Sequence, residues 1–251
     1  MKYGKLVAGL VAVAIPSAAL ATLWQTMDAE SATISGSQLL DNGWSFSLAQ
    51  DSQGFKPALS STRARSGSNS VFFKINAGTD TYNDRSELTI TSGTFFDQER
   101  WFSFAVYVPS NFQAHPLARW LILSQVWQYS PASPPIALEF KPNTTNRLQL
   151  IVRNDDTGTS ATNIVKNDIP ITTGAWNTIQ VGFRLSTSTN GFVRLIVNGQ
   201  TAHTYTGKVG YTGTQGTVQP RVGLYGSTSS AMHEIWVDDI KYASTQAEVA
   251  P

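Results

Sequence analysis

About a dozen short runs of β-branched, aromatic and aliphatic residues, each closed off by Gly, Asn, Asp, Ser or Pro, leave this chain little to fold into except sheet. They are Gly43–Leu48, Ser70–Asn76, Ser86–Ser92, Trp101–Val108, Trp120–Gln128, Ile136–Lys141, Arg147–Arg153, Trp176–Leu185, Phe192–Val197, Gln200–Tyr205, Gln219–Tyr225 and Ile235–Tyr242. Spacing of this kind predicts an all-β, two-sheet antiparallel sandwich or jelly roll. Asn198-Gly199, between two of the runs, predicts a two-residue hairpin turn with both φ angles positive. Helix is scarce, and the one short candidate lies over Ser110–Ala118.

A length of 251 residues suits one large β domain or two small ones, and one is expected. Lys2 and Lys5, the apolar run from Leu6 to Ile15 and the small-x-small site Ala19-Leu20-Ala21 read as an export signal over residues 1–21. The mature chain then starts near Thr22 and is secreted, extracellular or periplasmic. The apolar run is shorter than the ~20 residues a transmembrane helix needs, so no membrane contact is expected after cleavage, with an uncleaved anchor as the alternative. Residues 22–40, rich in Ser, Thr and Ala, read as a linker or loosely docked arm, and residues 41–251 as the β domain. A formal charge of +1 argues against broad capture of nucleic acid. The chain has no cysteine, which excludes disulfides and thiolate zinc sites. No motif calls for an organic cofactor, and a monomer is expected.

Within this frame three strands gather polar groups. In Tyr82–Ile90, alternation sets Arg85, Glu87 and Thr89 on one face and Ser86, Leu88 and Ile90 on the other. In the same way Gln125, Trp127 and Tyr129 share a face, as do Arg221, Gly223 and Tyr225. Gly223 is read as open space between an arginine and a phenol, where a nearby cation would favour a phenolate. Taken singly, each has an ordinary explanation: an exposed ion pair worth little, a satisfied strand glutamine, a surface tyrosine. Trp127 and Tyr129 either stack on sugar rings or fill core and rim. His203 and His233 lack any nucleophile or metal-ligand context.

The series Arg85-Ser86-Glu87-Leu88, then Gln125, then Arg221-x-Gly223-x-Tyr225 resembles the jelly-roll polysaccharide lyases: glucuronan lyases, the heparin lyase I group and, more distantly, jelly-roll alginate lyases. Val108-Pro109-Ser110-Asn111-Phe112, Pro134-Pro135-Ile136 and Gly174-Ala175-Trp176-Asn177 fit the same order. The resemblance implies a concanavalin-like β-jelly roll with a concave substrate groove, cleaving an acidic polysaccharide by β-elimination. It implies Tyr225, Arg85, Gln125 and Arg221 as catalytic residues, with Tyr225 moving protons and Arg221 the neighbouring cation. Asn83, Glu87, Trp127, Tyr129 and His115 follow as substrate contacts.

One departure bears on substrate. Alginate and heparin lyases have His two residues after the Gln, where this chain has Trp127. A single tyrosine can serve both proton and leaving oxygen only when they lie on one face, as in glucuronate and mannuronate but not guluronate or iduronate. Glucuronan is therefore the preferred expectation, unless His115 fills the gap. A mannuronate-directed alginate lyase and a non-catalytic carbohydrate-binding module are the alternatives. Hydrolysis would need paired carboxylates, and Glu234 and Asp238 lack a third acid in the pattern. Trp236-Val237-Asp238-Asp239-Ile240 is similar to the last strand of sugar-active jelly rolls, so Asp238 or Asp239 is expected either to help hold a structural calcium or to form a solvated acidic strand end.

Overall fold

Alternating side chains give most strands one apolar face, and two sheets meet on those faces. A computed structural model describes residues 23–50, 55–75, 83–112, 120–128, 133–154, 163–211, 217–227 and 232–251. In chain order the strands are β1 (Leu23–Met27), β2 (Thr33–Ser35), β3 (Gln38–Asp41), β4 (Trp44–Gln50), β5 (Ala58–Ser60), β6 (Ser70–Ile75), β7 (Asn83–Thr89), β8 (Arg100–Val108), β9 (Leu121–Trp127), β10 (Ile136–Phe140), β11 (Arg147–Arg153), β12 (Asn163–Pro170), β13 (Ala175–Arg184), β14 (Phe192–Val197), β15 (Gln200–Thr206), β16 (Gln219–Ser227) and β17 (His233–Ala243). One sheet runs β15-β14-β13-β8-β17-β6-β5, with β1 also on β17; the other runs β12-β11-β10-β9-β16-β7-β4-β3-β2. The ladders are antiparallel. This is the open two-sheet jelly roll that the strand spacing predicts.

The core lies between the sheets. Phe46, Leu88, Val222 and Leu224 of the second sheet meet Phe73, Phe102, Phe104 and Phe183 of the first, all buried in one apolar cluster. Each such side chain contributes roughly 1.5–3 kcal/mol on burial. The opposite face of the second sheet, freed from the core, carries the polar residues of β7, β9 and β16.

The Asn198-Gly199 turn has φ of 50° and 77°, as expected. Asn42-Gly43 makes the same turn between β3 and β4, with φ of 49° and 78°. The supposed linker over 22–40 needs correction, because from Leu23 onward it supplies three strands: β1 in one sheet, β2 and β3 in the other. Met27 and Leu39 hold it there, 1% and 0% exposed in the core. The helix expected over Ser110–Ala118 falls largely outside the described residues; Ser110 and Asn111 form a turn. The export signal also lies outside them. Among the described residues no helix is long and apolar enough to cross a membrane.

Candidate active site

Strands β7, β16 and β9 are neighbours, and their register decides what meets. Arg85 lies opposite Tyr225, and Arg221 lies opposite both Thr89 and Gln125. Opposite residues of antiparallel strands share a face, so the three motifs converge although they are far apart in sequence. They open onto a groove of about 440 Å³ lined by Arg85, Gln125, Trp127 and Tyr225.

Glu87 organises the cations beneath. Its side chain is 1% exposed; Oε2 lies 3.2 Å from Nε of Arg85 and 3.8 Å from Nη1 of Arg221. Oε1 accepts a 2.6 Å hydrogen bond from Nε2 of Gln125. Glu87 was expected to touch substrate, but its carboxylate is buried against Arg85, Arg221 and Gln125. Gln125 spends one N–H on this carboxylate. The two guanidiniums outweigh the single carboxylate, leaving a net positive charge at the groove.

Tyr225 is packed on both sides. The guanidinium carbon of Arg85 sits 4.0 Å from its ring centroid, and Trp120 meets it edge-on with centroids 4.7 Å apart at 74°. Arg221 instead lies over Trp127, 4.9 Å from the ring. The cation stacked on the Tyr225 ring is thus Arg85, while Arg221, the expected neighbour, interacts with Tyr225 through charge. Burial pulls the Arg221 guanidinium below its ordinary value; the charge of Glu87 opposes this and that of Arg85 adds to it.

Gly223 does not provide open space. Its φ is +141°, and a Cβ there would come within 2.3 Å of the Ser86 carbonyl oxygen and 2.8 Å of Glu87 Cα. The glycine lets β16 press against β7 where Glu87 turns upward, and it falls in the stretch where the β16–β9 register shifts between Val222 and Tyr225.

Several groove residues went unrecognised in the sequence. Ile122, Ala137 and Ile151 form an apolar floor against which Trp120 and Tyr225 pack. Glu139 and Arg153 also line the groove. Glu139 is 4% exposed, and burial pushes its carboxyl above the usual range against a 2.9 Å hydrogen bond from Gln149 and the charge of Arg153. A lone acid in the apolar run Ile136–Phe140 was the signal that could have found it.

The family profile described as Polysaccharide lyase matches residues 29–241. The chain belongs to the polysaccharide lyases. The lyase resembles, at 17% identity and TM-score 0.72, the endo-beta-1,4-glucuronan lyase of the fungus Trichoderma reesei, over 91% of this chain and 98% of that one. A carbohydrate esterase from the Shiga toxin-encoding bacteriophage phi24B matches at 14% identity and TM-score 0.54, over 90% and 100% of the two chains. Alginate lyase AlyC3 matches at 11% and 0.52, over 70% and 75%. Such likeness is one of fold. No curated protein matches the chain.

The remaining candidates in the lyase fall elsewhere. Asn83 opens β7 opposite Ser227. Tyr129 and His115 lie outside the described residues. Asp238 and Asp239 sit on β17 in the other sheet, where a bulge gives Asp239 a φ of 51° and turns both acids to the loop before β6. Asp238 Oδ2 accepts the amides of Arg65 and Ser66 at 2.9 and 3.4 Å, and Oδ1 accepts that of Asp239 at 2.8 Å. Asp239 takes the Ser66 hydroxyl at 2.7 Å and Arg65 at 3.1 Å. From the N-terminal side, Glu30 Oε1 accepts the amides of Ser68 and Asn69, each at 2.8 Å. All four aspartate oxygens face protein donors, so the pair does not fit the expected calcium. Among the described residues no three acidic or imidazole side chains converge as a metal site.

Proposed function

We propose that this lyase is exported and cleaves a polyuronic acid, preferably glucuronan, by β-elimination. The observation that carries the reading is the Arg85–Tyr225 stack at 4.0 Å beside an amide held by Glu87: a proton-transfer group and carboxylate-binding donors share one groove. A uronate C5 proton becomes removable when charge developing on its carboxylate is stabilised, the task of Arg85, Gln125 and the positive balance around Glu87. Tyr225 takes that proton, the C4–O bond breaks with its electron pair going to oxygen, and the same phenol returns a proton to the leaving oxygen. The products are a new chain end and a C4–C5 unsaturated uronate, with no co-reactant needed. The apolar floor of Ile122, Ala137 and Ile151 suits the less polar face of a pyranose ring. The likeness to the glucuronan lyase, which spans nearly both chains, supports glucuronan over alginate.

The test is ultraviolet absorbance during incubation with glucuronan, mannuronan, guluronan and neutral glucan. Glucuronan should give the fastest rise, mannuronan a slower one, and guluronan and glucan none. Tyr225→Phe should fold and bind polymer while losing ~10²–10⁴-fold in rate. Comparable rates on guluronan would show that a second group opposes Tyr225, and near-native turnover by Tyr225→Phe would remove it from the mechanism.

A further inference from the structure

One row of side chains can be followed across the groove sheet. Gln125 faces Arg221, Arg221 faces Thr89, Thr89 faces Ser47, Ser47 faces Gln38, and Gln38 faces Ser35. Directly opposite residues share a face, so the row continues the catalytic groove to the sheet edge. With strands spaced about 4.8 Å apart, it runs on for roughly 14 Å beyond β7.

That outer half differs from an ordinary solvent face in two ways. It is uncharged: the outward positions Ser35, Gln38, Ser45 and Ser47 are exposed hydroxyls and an amide. The one charged residue of β2, β3 and β4, Asp41, is 3% exposed and takes the amides of Asp28 and Ala29 and the hydroxyl of Ser31. Edge strands ordinarily carry charge, lysine above all, to prevent pairing with other chains. The rim also keeps one large apolar side chain of that face in water, Leu40 at 39% exposure, directly opposite Ser45. It lines a cleft of about 380 Å³ with Thr33 and Ser45. Hydroxyls and an amide beside an exposed aliphatic side chain match a sugar, which offers hydroxyls at its edge and C–H groups on its face.

We propose that the outward face of β2, β3 and β4 is a sugar-binding shelf that extends the groove. It takes two or three further residues of the same polyuronate chain, pairing with their hydroxyls while their carboxylates turn to solvent, with Leu40 as the apolar contact at the rim. The assignment rests on the lyase reading, and the occupant follows from continuity with the catalytic row.

Glucuronan fragments of graded length, given to the full chain, test it. Native kcat/KM should climb with length until the shelf is filled. Ser47→Glu sets a charge against a polyanion in mid-row and, with Gln38→Glu beside it, should lower kcat/KM on long fragments by about tenfold while costing the shortest cleaved fragment far less. In Tyr225→Phe protein, calorimetric affinity for long fragments should fall with the same substitutions. An equal loss at every length overturns the shelf, as does no loss in variants with native melting temperature. If the native chain yields no unsaturated product from any uronan, the lyase reading fails on its own. The calorimetric series then still decides the shelf: length-dependent affinity lost in Ser47→Glu supports it, and affinity without length dependence overturns it.

Discussion

Glu87 and Asp238 are both carboxylates buried to 1% exposure or less, yet they are satisfied in opposite ways. Glu87 is held by side chains: two guanidiniums and an amide. Asp238 is held by main-chain amides of Arg65, Ser66 and Asp239. Cations overcompensate a single negative charge and leave positive potential for an incoming anion. Amides are neutral, so Asp238 keeps the cost of its own burial, and its pKa is pushed up to about 6. The first arrangement gathers cations at the groove; the second fastens a loop. The difference lies in whether the partner carries charge, not in how deeply the acid is buried.

The comparison can be broken most forcefully at Glu87. Glu87→Gln sets Arg85 and Arg221 against each other, and should lower kcat by about 10²-fold through misplaced donors. It should also cost roughly 3 kcal/mol of stability, read by urea unfolding. Near-native turnover would reduce Glu87 to a space filler. A smaller loss, at least about tenfold, should follow Arg85→Lys, because a point charge cannot reproduce a planar fork stacked on Tyr225. Full activity with lysine would mean that charge alone suffices.

At the other pole, Asp238→Asn should leave turnover close to native and act on stability. A carboxyl whose folded pKa is raised contributes stability that is fully present below its unfolded value of about 4 and is lost as pH rises through the folded value. The native melting temperature should therefore lose this contribution as pH climbs through about 6, and the variant should show a flatter profile over that window. Identical profiles would remove Asp238 as the source. The smallest effect should come from a chelator, which is expected to leave the melting temperature unchanged because protein donors already occupy both aspartates. A drop restored by calcium would reveal an ion bound to the folded state.

Much of this was legible in the sequence. Every run read as a strand is one, within a few residues, because alternation with firm punctuation is a local property. Alternation placed the polar groups of each strand on one face, while the convergence of Arg85, Gln125 and Tyr225 was implied by the resemblance and is set by the β7–β16–β9 register. What escaped reading depends on partners. β1, β2 and β3 are short and polar on one side, and only Met27 and Leu39 reaching the core fixes them, although Asn42-Gly43 repeats the turn signal recognised at Asn198-Gly199. Ile122 lies on the groove face although strict alternation from Gln125 turns it inward. The register shift opposite Leu138 and Glu139 reverses it, and no single-strand pattern contains that shift. Gly223 was misread for the same reason, since the atoms its side chain would strike belong to β7.

The first described strand and the last form one ladder, Leu23 facing Ala243. β17 is not an edge; β8 flanks it along one side, and β6 and β1 share the other. The last of the described strands is thus the one into which three others must lock, including the first of them. Contacts of such sequence separation must close the largest possible loop before they return any stabilisation, which places folding at the slow end of the scale. The sheet stays unfinished until β17 is available, and a nascent chain carries exposed strand edges until then. Trimming β17 would leave no smaller sandwich behind but two open halves, and the first sheet would lose its centre.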